Sequence, residues 1–297
     1  MPAPIALFAY NRPEHILRAL EGLIKNEEAK NSILFIFCDG PKAGVSDDQL
    51  KKIVETRKVI RQQKWCKQVN IFESETNKGL ANSIIDGVTE VVNEFGSIIV
   101  LEDDLVVSPF FLKFMNEALQ IYLNEEKVIS IHGYLYPIKK QLPETFFLKG
   151  ADCWGWATWK RGWDLFESDE GKLLDEIIKR KLEKEFDFGS RFPYLKMLKD
   201  QLAGKNDSWA IRWYASAFLN NKLTLYPGNS LAENIGNEGS GTHVKKTEYY
   251  HTSVAMAPVL IKTIPVEVNQ EAFHAFREYF FSIRPTIWRK ILKKFKL

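Results

Sequence analysis

Early in the chain, apolar runs at Ile5 to Ala9, Ile33 to Cys38, Val69 to Glu73 and Ile98 to Leu101 are separated by segments of helical periodicity, and this alternation leaves few architectures open. Pro13 to Ile24 places Ile16, Leu17, Leu20 and Leu23 on one face, and Leu80 to Phe95 does the same with Ile84, Val88, Val91 and Val92. A further apolar run follows at Val128 to His132. Strands alternating with helices predict an α/β fold with a mostly parallel central sheet flanked by helices on both faces. In such sheets ligands bind beyond the carboxyl ends of the strands. Those ends carry Tyr10, Asn11 and Arg12, then Asp39 and Gly40, then Asn77, Lys78 and Gly79, and finally Glu102, Asp103 and Asp104.

The last of these groups is the most unusual. The run Ile98 to Leu101 ends in three adjacent carboxylates, and crowding anions raises their pKa values unless a cation reverses the sign. Oxygen-only ligands at a strand end suit a hard divalent ion, Mg²⁺ or Mn²⁺, that keeps positions open for phosphate oxygens. A solvated acidic turn is the plainer alternative. Asp39 fits a ribose or base contact, and equally a simple Asp-Gly-Pro turn. Arg12 at a helix start favours phosphate. Neither GxGxxG after the first run nor GxxxxGK[ST] occurs, so a nucleotide would be held in another way.

With 297 residues, 45% of them hydrophobic, the chain can bury one large core or two modest ones. A net charge of +3 on 41 basic and 38 acidic residues gives no argument for a nucleic-acid partner. Cys38, Cys66 and Cys153 form neither a CxxC pair nor a Cys/His cluster, which fits a reducing compartment without disulfides or a zinc site. The start of the chain lacks a signal-peptide pattern, and no apolar run reaches the roughly 18 residues of a membrane span. A cytoplasmic protein is expected, either free or attached at the cytoplasmic face of the membrane. The final segment, 284 to 297, carries six basic residues and no acid, with Trp288, Ile291, Leu292 and Phe295 on one side. Such a helix either packs on the domain or lies on an anionic membrane.

The second half is helical and rich in aromatics. Helices are expected over Glu170 to Phe186, Arg191 to Leu202 and Ser208 to Asn221, then a strand at Leu223 to Tyr226 and a Gly/Asn-rich loop from Gly228 to Gly241. Trp154, Trp156 and Trp209 are core fillers or faces on which a sugar ring stacks, and Gly155 lets backbone approach a ligand. Asp207 is a helix cap, shared with Ser208, or a general base; Asp152 is the competing base. His243 in its glycine-rich loop is a surface residue or a metal contact.

The order FAYNRP, FCDGPK, NKGLANSI, IIVLEDDLVVSPFF, CWGWATW and NDSW resembles the nucleotide-diphosphate-sugar glycosyltransferases of the Rossmann-like GT-A fold. It looks most similar to bacterial family-2-like enzymes and to the N-acetylglucosaminyltransferase I type, over about residues 3 to 245. The resemblance implies Asp104 as metal ligand, Glu102 and Asp103 as ribose and sugar contacts, Asp39 as nucleoside contact and Asp207 as base. The segment NIGNEGSGTH implies His243 as a metal or diphosphate contact. Tyr10, Arg12, Asn77, Lys78, Gly79 and Asn82 line the expected donor side, and Trp154, Gly155, Trp156 and Trp209 the acceptor side. One catalytic unit over 1–245 is expected, with a nucleotide half (1–108) and an acceptor half (109–245), followed by an extension over 246–297.

The implied reaction is inverting, Mn²⁺- or Mg²⁺-dependent transfer of one sugar from a nucleotide-diphosphate sugar to a glycan or lipid-linked acceptor, as in bacterial surface polysaccharide assembly. The family-2 QxxRW motif is absent, which favours single addition over polymerisation. Two other classes stay open: a non-catalytic nucleotide-sugar or glycan-binding module, and a metal-dependent phosphoesterase. The second needs a further metal cluster, for which five histidines without His-Asp pairing offer little.

Overall fold

The computed structural model describes residues 2–236 and 249–283. The chain begins β1 (Ile5–Ala9), α1 (Pro13–Leu23), β2 (Ile33–Cys38), α2 (Asp47–Val59), β3 (Gln68–Glu73), α3 (Leu80–Phe95) and β4 (Ser97–Glu102). It continues through β5 (Leu105–Val107), α4 (Phe111–Ile121), β6 (Val128–His132), β7 (Thr145–Lys149), β8 (Trp156–Trp159) and the short α5 (Lys160–Trp163). Helices α6 (Glu170–Lys179), α7 (Glu183–Phe186), α8 (Tyr194–Leu202) and α9 (Trp209–Leu219) follow, then β9 (Leu223–Pro227), β10 (Ala232–Asn234) and α10 (Gln270–Ser282).

One eight-stranded sheet in the order β3-β2-β1-β4-β8-β6-β9-β7 runs through both halves of the chain. Strands β3, β2, β1 and β4 are mutually parallel, β6 and β9 are parallel to each other, and β8 and β7 run against their neighbours. The fold is therefore mixed α/β with a mostly parallel central sheet covered by helices, as the alternation predicts. All five residues of β1 are buried because both faces are covered, which is why the strand reads as continuous apolar sequence rather than as alternation.

The side chains of β1 split between two cores. Leu7, with Ile16 and Leu20 of α1 and Phe111 and Met115 of α4, belongs to one face. Ala6 and Phe8, with Ile84 and Val88 of α3 and Trp156 and Trp213, belong to the other. A small second sheet pairs β10 antiparallel with β5, Asn234 opposite Leu105, and so ties residues 232–234 to the strand that directly follows the acid triplet.

The expected helix from Glu170 to Phe186 is two helices, because Lys181 sits between them in the left-handed region at φ 56°. The strand β8 lies inside what reads as a tryptophan-glycine segment. Residues 249–283 pack on the sheet: α10 buries Phe276 and Phe280, and Val268 bridges to Phe147 of β7. Among the described residues, no helix is long and apolar enough to cross a membrane. The basic segment 284–297 lies outside the described residues.

Candidate functional site

Connections from β1 run to β2 on one side, and the chain later returns to place β4 on the other. A crevice opens at this reversal, beyond the carboxyl ends of the strands. A cleft of about 300 Å³ occupies it, lined by Tyr10, Asn11, Arg12, Asp39, Lys42, Asn77, Gly79, Glu102, Asp103 and Asp207. Eight of the residues proposed from sequence thus meet in one place, from loops that begin at Tyr10 and end at Asp207. A larger groove of about 560 Å³, between Lys25 and Trp65, contains none of them.

Asp39 is buried, and both its oxygens are engaged. Oδ1 accepts the backbone N–H groups of Gly40 (2.8 Å) and Lys78 (2.8 Å), and Oδ2 accepts Asn77 Nδ2 (2.8 Å) and the Gly79 N–H (3.0 Å). Its carboxylate organises the Asn77–Gly79 loop. Gly40 is required there because a Cβ would lie 2.6 Å from the backbone of Thr76. Asn82 donates to the Lys78 carbonyl (2.9 Å), and the Lys78 ammonium reaches Asp86 at 3.6 Å on the exposed rim.

Arg12, just before α1, supplies positive charge to the acids. Its Nε and Nη2 both donate to Asp103, and Nη1 donates to Asp104 Oδ2 at 3.1 Å. One guanidinium does not neutralise three carboxylates. Burial, then Asp104 and Asp103, push the Glu102 carboxyl up to about 8. Burial raises Asp103 to about 6 although Arg12 opposes it. Asp103 and Asp104 form the turn between β4 and β5. The Asp104 carbonyl accepts the Ile235 N–H (2.8 Å), and Gly236 is so close that a Cβ would lie 2.4 Å from Asp104 Oδ2.

Among the described residues no group of three or more His, Cys, Asp or Glu side chains is arranged to hold a metal by itself. The donor set nevertheless suits a hard divalent ion: a carboxylate at the mouth of an under-neutralised anionic cluster, to be completed by substrate phosphate oxygens. His243 lies outside the described residues.

At the other lip, Ser208 rather than Asp207 caps α9, its Oγ accepting the Ile211 N–H at 3.3 Å. Asp207 is left 61% exposed in the cleft, held by Arg212 Nη2 at 3.2 Å. Asp152, just before β8, does not line the cleft and occupies a separate nest. Its Oδ1 accepts the Cys153 N–H (2.9 Å), its Oδ2 accepts the Tyr136 hydroxyl (3.3 Å), and His132 Nε2 lies 3.7 Å away. His132 is fully buried and neither ring nitrogen has a hydrogen-bond partner among the described residues; burial pushes its pKa down against Asp152.

The tryptophans separate into two kinds. Trp154 is partly exposed and packs edge-on to Tyr134 and Tyr250. Trp156 and Trp209 are buried and stacked at 5.4 Å beside Trp213, so they fill the core and present no face to a ligand, correcting the sugar-stacking expectation for those two. Gly155 adopts φ 69°, and its carbonyl accepts the Gly133 N–H at 2.7 Å. Sequence reasoning missed Lys42, in FCDGPK beside Asp39, and Gly236, whose contact with Asp104 has no local signal.

No family profile matches the chain, and no curated protein does. Among solved structures, a UDP-glucose pyrophosphorylase complexed with UDP-glucose aligns with TM-score 0.39 and 11% identity over 79% of this chain and 94% of that one. A mannose-1-phosphate geranyltransferase from Thermus thermophilus aligns with TM-score 0.37 and 14% identity, over 81% of this chain and 78% of that one. S. aureus TarS aligns with TM-score 0.29 and 14% identity, over 50% of this chain and 24% of that one. Overlaps this loose carry no weight for the reaction, which is read from the cleft.

Proposed function

We propose that the protein is a metal-dependent glycosyltransferase that moves one sugar from a nucleotide-diphosphate sugar to an acceptor hydroxyl. The observation that carries this reading is the meeting, in one crevice at the strand-order reversal, of Glu102, Asp103, Arg12 and the exposed carboxylate of Asp207, with Asp104 tied to the same guanidinium just outside the cleft lining.

The nucleoside lies toward Asp39 and the Asn77–Gly79 loop, which Asp39 shapes rather than reaching out itself. The diphosphate lies at Arg12 and the start of α1, where guanidinium and helix terminus both favour anions. Asp104, with His243 as a candidate second ligand, would hold Mn²⁺ or Mg²⁺, which supplies Lewis-acid neutralisation of the leaving diphosphate. Glu102 and Asp103 face the ribose and the donor sugar. Asp207 takes the proton of the acceptor hydroxyl as its oxygen bonds to the anomeric carbon and the bond to diphosphate breaks, inverting that centre. Trp154 and Gly155 border the acceptor, a glycan or a lipid-linked saccharide, and the basic segment 284–297 would bring the enzyme to an anionic membrane on its cytoplasmic face.

Incubation of the full chain with a panel of nucleotide sugars and Mn²⁺ tests the reading. Metal-dependent release of nucleoside diphosphate, lost in Asp104→Ala, supports it. Release of pyrophosphate from nucleoside triphosphate and sugar phosphate would instead make it a nucleotidyltransferase. Binding without turnover would make it a sugar-nucleotide-binding module.

A further inference from the structure

Asp104 Oδ2 is hemmed in from two sides. Arg12 Nη1 donates to it at 3.1 Å, and the backbone at Gly236 approaches so closely that a Cβ would lie 2.4 Å away. A divalent ion at this carboxylate meets a guanidinium already bonded to it, and two like charges on one oxygen repel strongly in a partly buried site. Arg12 is not held equally by its partners. Two of its nitrogens are committed to Asp103, which is almost fully buried, whereas one contact reaches Asp104, at the more exposed end of the pair. The Asp104 contact is therefore the one that can be surrendered while the side chain stays anchored. The guanidinium also lies immediately before the first turn of α1, where a diphosphate would find both donors and helix dipole.

We infer that Arg12 is a resident counter-ion that occupies Asp104 until a nucleoside diphosphate draws its Nη1 away, so that divalent metal and nucleotide bind cooperatively and the metal alone binds weakly. This rests on the metal reading of the cleft. It assigns Arg12 a role beyond phosphate binding: it makes metal loading conditional on nucleotide. Because coupling between two binding equilibria is reciprocal, the factor by which nucleotide tightens the metal equals the factor by which metal tightens nucleotide.

The test is Mn²⁺ titration of the full chain by electron paramagnetic resonance, alone and with UDP, GDP or ADP in turn, corrected for Mn²⁺ held by free nucleotide. For the wild type, one of the nucleotides is expected to tighten Mn²⁺ by about tenfold or more, within the usual range of such couplings. Arg12→Gln should bind Mn²⁺ alone about tenfold more tightly than wild type, with the coupling reduced toward one. Arg12→Lys keeps the charge on a side chain without the fork, and should fall between them; it also serves if the glutamine variant does not fold. Mn²⁺ binding by Arg12→Gln that is no tighter than wild type overturns the inference while leaving the metal site standing. Failure of the wild type to bind Mn²⁺ under any of these conditions overturns the metal reading itself.

Discussion

Asp39→Asn separates two roles for one carboxylate. In the structure Asp39 accepts four N–H donors, two on each oxygen. An asparagine keeps one acceptor oxygen and turns an NH₂ toward the other two donors, so two charge-assisted bonds are lost and the remaining pair becomes neutral. Hydrogen bonds to a charged group contribute roughly 1.5–3 kcal/mol each. The lower figure applies here because water can reach Asn77 and Gly79 at the cleft, which gives a loss of about 3 kcal/mol. For a chain of this size that is roughly a 6 °C fall in Tm. Urea unfolding gives the free energy, and a cycle with Asn77→Ala isolates the bond between the two side chains, which should appear as a coupling of about 1 kcal/mol. If Asp39 instead serves mainly as a nucleoside contact, stability is unchanged and only nucleotide affinity falls. A midpoint shift corresponding to less than about 0.5 kcal/mol, at unchanged slope, would refute the loop-organising role.

Two further outcomes are expected. Asp207→Asn should lower transfer by about 100-fold at unchanged donor KM, because Ser208 keeps the helix cap and only the proton acceptor is removed; the same pattern in Asp152→Asn would move the base there. Glu102 holds a proton in the folded protein up to about 8, whereas the unfolded chain releases it near 4.5, so the group's contribution to stability is greatest below the lower value and is lost as pH rises through that window. Tm scanned from pH 5 to pH 8.5 should therefore fall more steeply for wild type than for Glu102→Gln, and added Mn²⁺ should flatten the wild-type profile; equal slopes would show that Glu102 does not titrate there.

What the sequence disclosed follows from the range of the interactions involved. The strands β1, β2 and β4 and the helices α1 and α3 were legible because burial on both faces of a strand writes itself as an apolar run and burial on one face of a helix as 3.6-residue spacing; the edge strand β3, only partly buried, was marked by its Val-Asn-Ile-Phe run. Strand β8 was hidden because Trp156-Ala157-Thr158-Trp159 is equally good as aromatic core, and only pairing with β4 and β6 makes it a strand. The break at Lys181 was invisible because one left-handed residue leaves hydrophobic spacing intact. In the cleft, the strand-end loops were foreseeable, but their partners were not. Arg12 meets Asp103 across 91 positions, and no local rule pairs them. Ser208 and Asp207 were equivalent as caps until the backbone placed Ser208 Oγ against Ile211. Trp156 and Trp209 were indistinguishable from Trp154 by residue type, since large aromatics serve cores and sugar faces alike.

The direction of β8 explains how the second half of the chain reaches a site built by the first. Val100 pairs with Trp156 and Ser97 with Trp159, so β8 enters the sheet at the edge where β4 leaves it. The residues just before β8, Asp152 to Trp154, are thereby delivered beside Glu102. The thiol of Cys153 reports this nearness: burial pushes its pKa up first, then Asp152, Glu102 and Asp104. A parallel strand in the same slot would begin at the opposite edge, about 20 Å away for a six-residue strand at roughly 3.3 Å per residue, and the segment before it would lie far from Glu102. The antiparallel insertion is thus the step that brings the segment before β8 to the strand-end cleft. It also places at that edge His132, whose imidazole has no hydrogen-bond partner among the described residues, since β6 lies next to β8 and its last residue pairs with Trp156.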